Sequence, residues 1–596
     1  MVAPGPATEN AWNPGLVSAI PAAYRPLSSM YRPESITNGL DEIDELARFS
    51  GLSPDLLVEF RTARLIAHEA LIRMTADVAV ADGPNYEDLG FTFRAMLRRV
   101  LEGYVLQHEP ECAALLRAIK EQASACVRAQ LDAPREVSGA PSVETPPGVF
   151  AFLRRWSRAA STQPASQAPP TEDILTRIAR WRAASEVAED ALERESLAAL
   201  VTVASAIAGR YGRLVGEPSL IAELAARIVC NDYGSAAIGA RIDAAFREGV
   251  AREGFRLLPA QPEPYIMNIK GASAAGKSSM RPLQKRLAER LGIPWSDFSL
   301  ITPDIWRKFL LDYESLGPAF KYAGALTAHE LEIVDRKLDR YIADKNAQGR
   351  LSHLVIDRFR FDSFIPEAEV QVNSRLLTRF GSHVFLHFMI TPPEATVERA
   401  WLRGLQVGRY KAVDDLLAHN IEAFSGMPEL FFTWALHSKK QVHYEFLDNS
   451  VPHGEPPATV AFGCNGELNI LDVTGILNIE RYKRININAR RPEDVYLPAA
   501  QGQADEIGFL RRCIALLPAV NFADRDTGRV YARFEGGNLT HIDGAGISLA
   551  NPSEDARRAL GALVRRPAGS VPDCTAIERL DPAAAHTIGR WGAKAA

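Results

Sequence analysis

Residues 265–278 read YIMNIKGASAAGKS, a short apolar run with β-branched residues that opens directly into a glycine-bearing loop. The segment that follows, KSSMRPLQKRLAERLG, carries apolar residues at three- and four-residue intervals, the spacing of an amphipathic helix. Strand, tight loop and helix in this order constrain the fold strongly. A strand that feeds a crossover helix belongs to a parallel sheet covered on both faces. Four more strand-like runs follow, FSLITPD, HLVIDRF, HVFLHFMIT and VHYEFLDNS, each bounded by turn residues or by helical pattern. Residues 261–455 are therefore expected to form an α/β core, a mostly parallel sheet with helices on both faces.

The rest of the 596-residue chain divides by pattern. Residues 1–40, rich in Pro, Ser, Ala and Asn, show no periodicity and are expected to be disordered. Helical spacing governs 41–132 and again 172–260, predicting helical N-terminal regions. The Pro-, Ser- and Ala-rich stretch 133–171 reads as linker. In 456–596 the runs TVAFGC, LNILDVTGILNI and RVYARFEGGNLTHI read as short strands of a mixed α/β region.

Composition excludes several classes. A net charge of −5 supplies no global basic field, so nucleic-acid binding is not expected. Six cysteines without CxxC spacing argue against both a disulfide framework and a zinc module. No apolar run reaches the length of a membrane span, and the first residues lack the charged and apolar regions of a Sec signal. The expectation is a multidomain, cytoplasmic protein with no membrane partner.

The loop carries the chemistry. Gly271-Ala272-Ser273-Ala274-Ala275-Gly276-Lys277-Ser278 matches the Walker A pattern GxxxxGK[ST], and Ser279 follows it into the helix. Backbone N–H groups of such a loop, together with the helix N-terminus, cradle phosphate. Lys277 would reach the β- and γ-phosphates of ATP, and the Ser278 hydroxyl would ligate Mg²⁺. The implied cofactors are ATP and Mg²⁺.

The strand ends decide which nucleotide chemistry follows. Asp304 closes the run LITPD, where ligands of a doubly wound sheet sit, and could accept a proton from an acceptor hydroxyl. An Asp after Pro and before a helical pattern is also a good N-cap, and the two roles are compatible. Asp357 ends HLVID, the place of a carboxylate that orients hydrated Mg²⁺, although a strand-end Asp can equally cap a turn. In ERAWLRGLQVGRY, Arg403 and Arg409 are the candidate lid arginines that offset charge during transfer, with Arg399 less favoured. Most arginine-bearing helices simply present a solvated face.

On GASAAGKSS, LITPD, VIDRF and ERAWLRGLQVGR the chain resembles the zeta-toxin superfamily of P-loop kinases, and within it the plant-pathogen type III effectors of the Avr-Rxo kind. The likeness is good over 260–455 and does not cover the first ~170 residues. It implies a kinase that phosphorylates the adenosine-ribose 3′-hydroxyl of NAD, or, as in zeta toxins proper, UDP-N-acetylglucosamine. Carried over residue by residue, it gives Lys277 and Ser278 to ATP·Mg²⁺, Asp304 to the acceptor hydroxyl and Arg403 or Arg409 to the lid. It also implies a small antitoxin or chaperone as partner and, for an effector, delivery into a host cell by a non-Sec route. Two other readings compete: a regulatory NTPase and a scaffold with a vestigial loop. No NKxD/SAK pair supports the first, and the intact Lys277-Ser278 pair speaks against the second.

Overall fold

The computed structural model describes residues 9–132, 173–358, 377–497, 506–564 and 579–592, apart from positions 86, 453, 545, 547–549, 551–552 and 583–584. The expected linker, 133–171, lies outside the described residues. Two compact units are formed. One is helical and comprises residues 36–65 and 108–241; the other comprises 1–35, 66–107 and 242–596. Both units draw their helices from the stretches 41–132 and 172–260, where the spacing predicts helix. Helical periodicity shows which face of a helix is buried but not against which distant helix. Among the described residues no helix is long and apolar enough to cross a membrane.

Within the helical unit, Glu109–Asp132, Ile174–Val187, Ala191–Tyr211 and Pro218–Val229 bury Ile119, Trp181, Leu200, Val203 and Ile221. Asp190 caps one of these helices by accepting from the Glu193 N–H at 2.8 Å. Arg227, nearly buried, donates to Glu42 and Glu223 at 2.7 and 2.8 Å.

The second unit is built on a ten-stranded sheet. Its strands are β1 (Tyr265–Lys270), β2 (Phe298–Ile301), β3 (His353–Asp357), β4 (His383–Ile390), β5 (Gln441–Asp448), β6 (Ala458–Cys464), β7 (Glu467–Ile470), β8 (Ala519–Ala523), β9 (Val530–Glu535) and β10 (Asn538–Ile542). The order across the sheet is β10-β9-β8-β7-β6-β5-β4-β1-β3-β2. The five strands β2, β3, β1, β4 and β5 are mutually parallel. Beyond β5 the sheet continues through antiparallel pairs, broken only by the parallel pair β7/β8. The region after 456 therefore extends the same sheet.

Both faces are buried, as the near-continuous apolar strands require. Phe385 and Met389 of β4 join Met267, Ile269 and Val355 in a core with Leu283 and Leu287 of helix Arg281–Arg290. Val384, Leu386, Phe388 and Ile390 point to the other side, among Phe424, Met427 and Phe431 of helix Val413–Ala435.

Two expectations are corrected. The run LNILDVTGILNI gives one strand and then a helix, Val473–Tyr482, because Asp472 accepts from the Gly475 N–H at 3.2 Å and caps it. Residues 9–35, expected to be disordered, are placed: they carry two short 3₁₀ helices, Ala22–Leu27 and Ser29–Tyr31. Leu16, Ile20, Tyr24 and Leu27 pack on Leu311, Tyr313, Leu316 and Tyr322. Trp12 Nε1 donates to Glu398 at 2.9 Å, and Lys321 donates to the Pro14 carbonyl at 2.9 Å. A segment without periodicity is ordered here by scattered apolar anchors and tertiary hydrogen bonds, which a periodicity argument does not register. Residues 1–8 lie outside the described residues.

Candidate functional site

From β1 the chain passes to the edge strand β2 and returns to β3, then crosses to β4 and β5. The reversal occurs around β1, and in such sheets the crevice beyond the carboxyl ends at the reversal is the ligand site. All five parallel strands end on that edge. They deliver the 271–276 loop after β1, Asp304 after β2, Asp357 at the end of β3, Thr391 after β4 and Asn449 after β5.

The loop between β1 and helix Arg281–Arg290 is tightly held. Gly276 has φ +95°, and a Cβ there would collide with the Asn449 side-chain amide. At Gly271 a Cβ would lie 2.8 Å from Met389 Cβ. Ala274 adopts φ +60°, a left-handed conformation that costs a residue with a Cβ about 1–2 kcal/mol. Three donors converge on the Ala275 carbonyl: Thr391 Oγ1 at 3.0 Å, Asn449 Nδ2 at 2.7 Å and Arg399 at 3.4 Å. Arg399 also donates to the Asn449 carbonyl at 2.6 Å. It is thus a brace of the loop, apart from the other two arginines. Ser279 is exposed and donates to the Gly276 carbonyl at 2.6 Å.

Lys277 lies back across its own loop, donating to the carbonyls of Ala272 and Gly271 at 2.9 and 3.1 Å. Burial lowers its pKa, and the nearby Arg403 and Arg409 add to that, against Asp357 and Asp304. Ser278 donates to Asp357 Oδ2 at 2.5 Å. The loop hydroxyl and the β3 carboxylate therefore share one spot.

Asp304 pairs with Arg409 and with Arg307 Nε, the latter at 2.9 Å. Burial pushes its pKa up, but the guanidinium groups of Arg409, Arg307 and Arg403 outweigh it and hold the carboxyl well below the usual carboxylate range. Its side chain is still 41% exposed, so solvent moderates these interactions. Arg307 is fixed from behind by the Gly324 carbonyl and Thr327 Oγ1, at 2.7 and 2.8 Å. Arg403 Nε donates to the Arg409 carbonyl at 3.4 Å.

Lys277, Ser278, Asp304, Asp357, Arg403 and Arg409 thus come together on one edge of the sheet. Motif reasoning missed Thr391, Asn449 and Arg307. Position after a strand was the available signal for the first two, and Arg307 sits one helical turn past Asp304. Among the described residues no group of three or more His, Cys, Asp and Glu side chains could hold a metal ion. Ser278 and Asp357 offer two hard oxygens, the kind of partial set that Mg²⁺ completes with water and phosphate. The chain matches no protein-family model and no curated protein.

Proposed function

We propose that the α/β unit is an ATP- and Mg²⁺-dependent kinase of the zeta-toxin type that phosphorylates a hydroxyl of a nucleotide-type small molecule. The favoured acceptor is the adenosine-ribose 3′-hydroxyl of NAD, with UDP-N-acetylglucosamine second. One observation carries the reading. The Ser278–Asp357 pair on the Lys277 loop and the Asp304–Arg409 pair share the carboxyl edge of the parallel strands, and Lys277 interacts with both carboxylates. The first pair suits a triphosphate with its metal, and the second an acceptor hydroxyl beside developing charge.

ATP held with Mg²⁺ would supply an electrophilic γ-phosphorus. Lys277 would exchange its two loop carbonyls for phosphate oxygens, a stronger, charge-assisted bond. Ser278 and Asp357 would hold the metal's protein side. Asp304 stays ionised under its arginines, which makes it a weak base and a good hydrogen-bond acceptor. Its role is then to orient the acceptor hydroxyl and to receive the proton late, which suffices for a loose phosphoryl-transfer transition state. Arg409 and Arg403 would stabilise charge on the transferring group.

The test is transfer of label from γ-labelled ATP with Mg²⁺ to NAD, to UDP-N-acetylglucosamine or to no acceptor, for the wild type, Lys277→Ala and Asp304→Asn. Label on NAD that both substitutions abolish is the expected result. Label on the sugar nucleotide alone would replace the acceptor, and acceptor-independent release of phosphate, unchanged in Asp304→Asn, would replace the kinase by an NTP hydrolase.

A further inference from the structure

Lys411 lies outside every motif, in the segment between helices Pro393–Val407 and Val413–Ala435. Its side chain is only 20% exposed. The ammonium lies 3.0 and 3.1 Å from the two ring nitrogens of His419 and 3.5 Å from Ser273 Oγ, and Ser273 Oγ in turn lies 2.7 Å from His419 Nδ1. Its nearest carboxylate, Asp415, stands at 3.7 Å, beyond hydrogen-bond reach, and is 44% exposed.

A cation so far removed from water is unfavourable unless an anion meets it. His419 and Ser273 give it direction but no negative charge. The charged groups facing it come from four elements. Arg307 and Asp304 follow β2, Arg403 is on the preceding helix, and Asp415 and Glu422, the latter raised to about 7 by burial, are on the following one. Lys277 of the loop lies near His419. Lys411 therefore reaches Ser273 in the first half of the loop and feels the charge of Asp304, so a terminal phosphate held by the loop would be within its range.

We infer that Lys411 is a second phosphate-binding lysine, directed by Ser273 and His419 onto the terminal phosphate of a bound nucleoside triphosphate. This rests on the nucleotide reading of the loop. Two consequences separate the residue from a structural lysine. It should discriminate ATP from ADP, because only ATP places a phosphate there. It should also make affinity fall in mild alkali, because burial, first of all, with Arg403 and Arg307 holds Lys411 at about 8. Nearby His419, held at about 2 by burial and by Lys411 and Lys277, stays neutral throughout.

The experiment is calorimetric titration of the full chain with the β,γ-imido analogue of ATP and, separately, with ADP, both with Mg²⁺. Lys411→Met should weaken the imido analogue by roughly ten- to a hundredfold, the usual worth of a hydrogen bond to a charged group, and ADP by less than about threefold. Lys411→Arg should restore affinity for the analogue and shrink the difference between pH 7 and pH 9 that the wild type shows, leaving only the part that Lys277 and Glu422 contribute. If Lys411→Met does not fold, Lys411→Gln, which keeps a donor to Ser273 without the charge, supplies the same contrast. Wild-type affinity in the neutral variant, or equal loss of both nucleotides, would overturn the inference. A wild type that binds neither nucleotide, or binds equally well as Lys277→Ala, would instead overturn the nucleotide reading itself.

Discussion

The same five parallel strands have two very different ends. At the amino ends β1 to β4 each begin with an aromatic or imidazole residue, and β5 carries His443 two residues in. Tyr265 of β1 stacks on His383 of β4 at 4.4 Å and meets His353 of β3 edge-on at 5.5 Å. His443 of β5 stacks on Phe385 at 4.8 Å. At the carboxyl ends stand Lys277, Asp304, Asp357 and the arginines. Parallel topology explains the asymmetry. Each crossover helix starts where its strand ends, so helix N-termini and their unpaired N–H groups gather on the carboxyl edge and favour anions there. The opposite edge gathers helix C-termini instead and is packed with rings, among them His353 and His443, which burial holds below their ordinary range.

Breaking the charged edge should have the largest effect. Asp304→Asn keeps the shape and removes the charge that Arg409 and Arg307 grip. Transfer to the acceptor should fall by about two to four orders of magnitude, the usual share of a group that handles the reacting proton. ATP affinity should be no weaker, because an anion has been removed from among cations. Single-turnover transfer and nucleotide titration on the same sample check both halves. A parallel loss of binding would make Asp304 a structural anchor of Arg307 and Arg409.

Lys277→Ala should act on binding, with ATP affinity falling by roughly ten- to a hundredfold as a charge-assisted phosphate contact is lost. The folded state should be little changed, since the contacts the lysine makes to Gly271 and Ala272 are to carbonyls of its own loop. Thermal melting without nucleotide, beside the titration, separates the two effects. A large drop in melting temperature would show that the lysine holds the loop together.

The neutral edge predicts a pH dependence of opposite character. Burial lowers His353 to about 4 and His443 to about 4, against an ordinary value near 6.5. His353 Nδ1 accepts from the Tyr265 N–H at 2.9 Å, so that nitrogen carries no proton. The unfolded chain therefore binds protons that the fold refuses. The stability contributed by these rings is full above about 6.5 and is lost as pH falls towards 4. Buried Glu445, raised to about 7 chiefly by desolvation, works the other way, losing stability as pH rises from its ordinary range through 7. The comparison must accordingly be made between variants. Between pH 7 and pH 5 the wild type should lose about 2 kcal/mol more than His353→Gln in urea unfolding. Identical pH slopes would mean that water reaches the ring.

Much of this asymmetry was legible in the residues, and the reasons for the rest are physical. All five parallel strands follow from short apolar runs ended by turn residues, because a strand buried on both faces needs little context to be recognised. Lys277, Ser278, Asp304 and Asp357 could be proposed because each ends or follows such a run. Thr391 and Asn449 also follow such runs, but that they meet on the Ala275 carbonyl depends on which strands become neighbours, and strand order is not written in local pattern. Lys411 follows no strand and carries no such signal. In the helical regions, too, local spacing gives the helices but not the partners they meet. Thr62–Asp77 carries a nearly buried Arg73 paired with Glu69 at 2.8 Å and Asp243 at 3.1 Å, a polar interior that apolar spacing does not reveal. The anchors of residues 9–35 are single side chains, too sparse to form a period.

The smallest effect tests whether the loop's shape is imposed from β4 and β5. Asn449, nearly buried, donates to the Ala275 carbonyl at 2.7 Å, and its side chain occupies the space that a Cβ on Gly276 would need. Asn449→Ala removes one of three donors to that carbonyl and leaves Thr391 and Arg399. A net hydrogen bond of this kind is worth about 1 kcal/mol, so ATP affinity should fall roughly fivefold. Thr391→Val should do the same to a similar extent, and the double variant should lose more than the sum, because Arg399 would then hold the carbonyl alone at 3.4 Å. Strict additivity in a double-mutant cycle would mean that the three donors act independently, and that the left-handed turn at Ala274 and Gly276 is fixed within the loop.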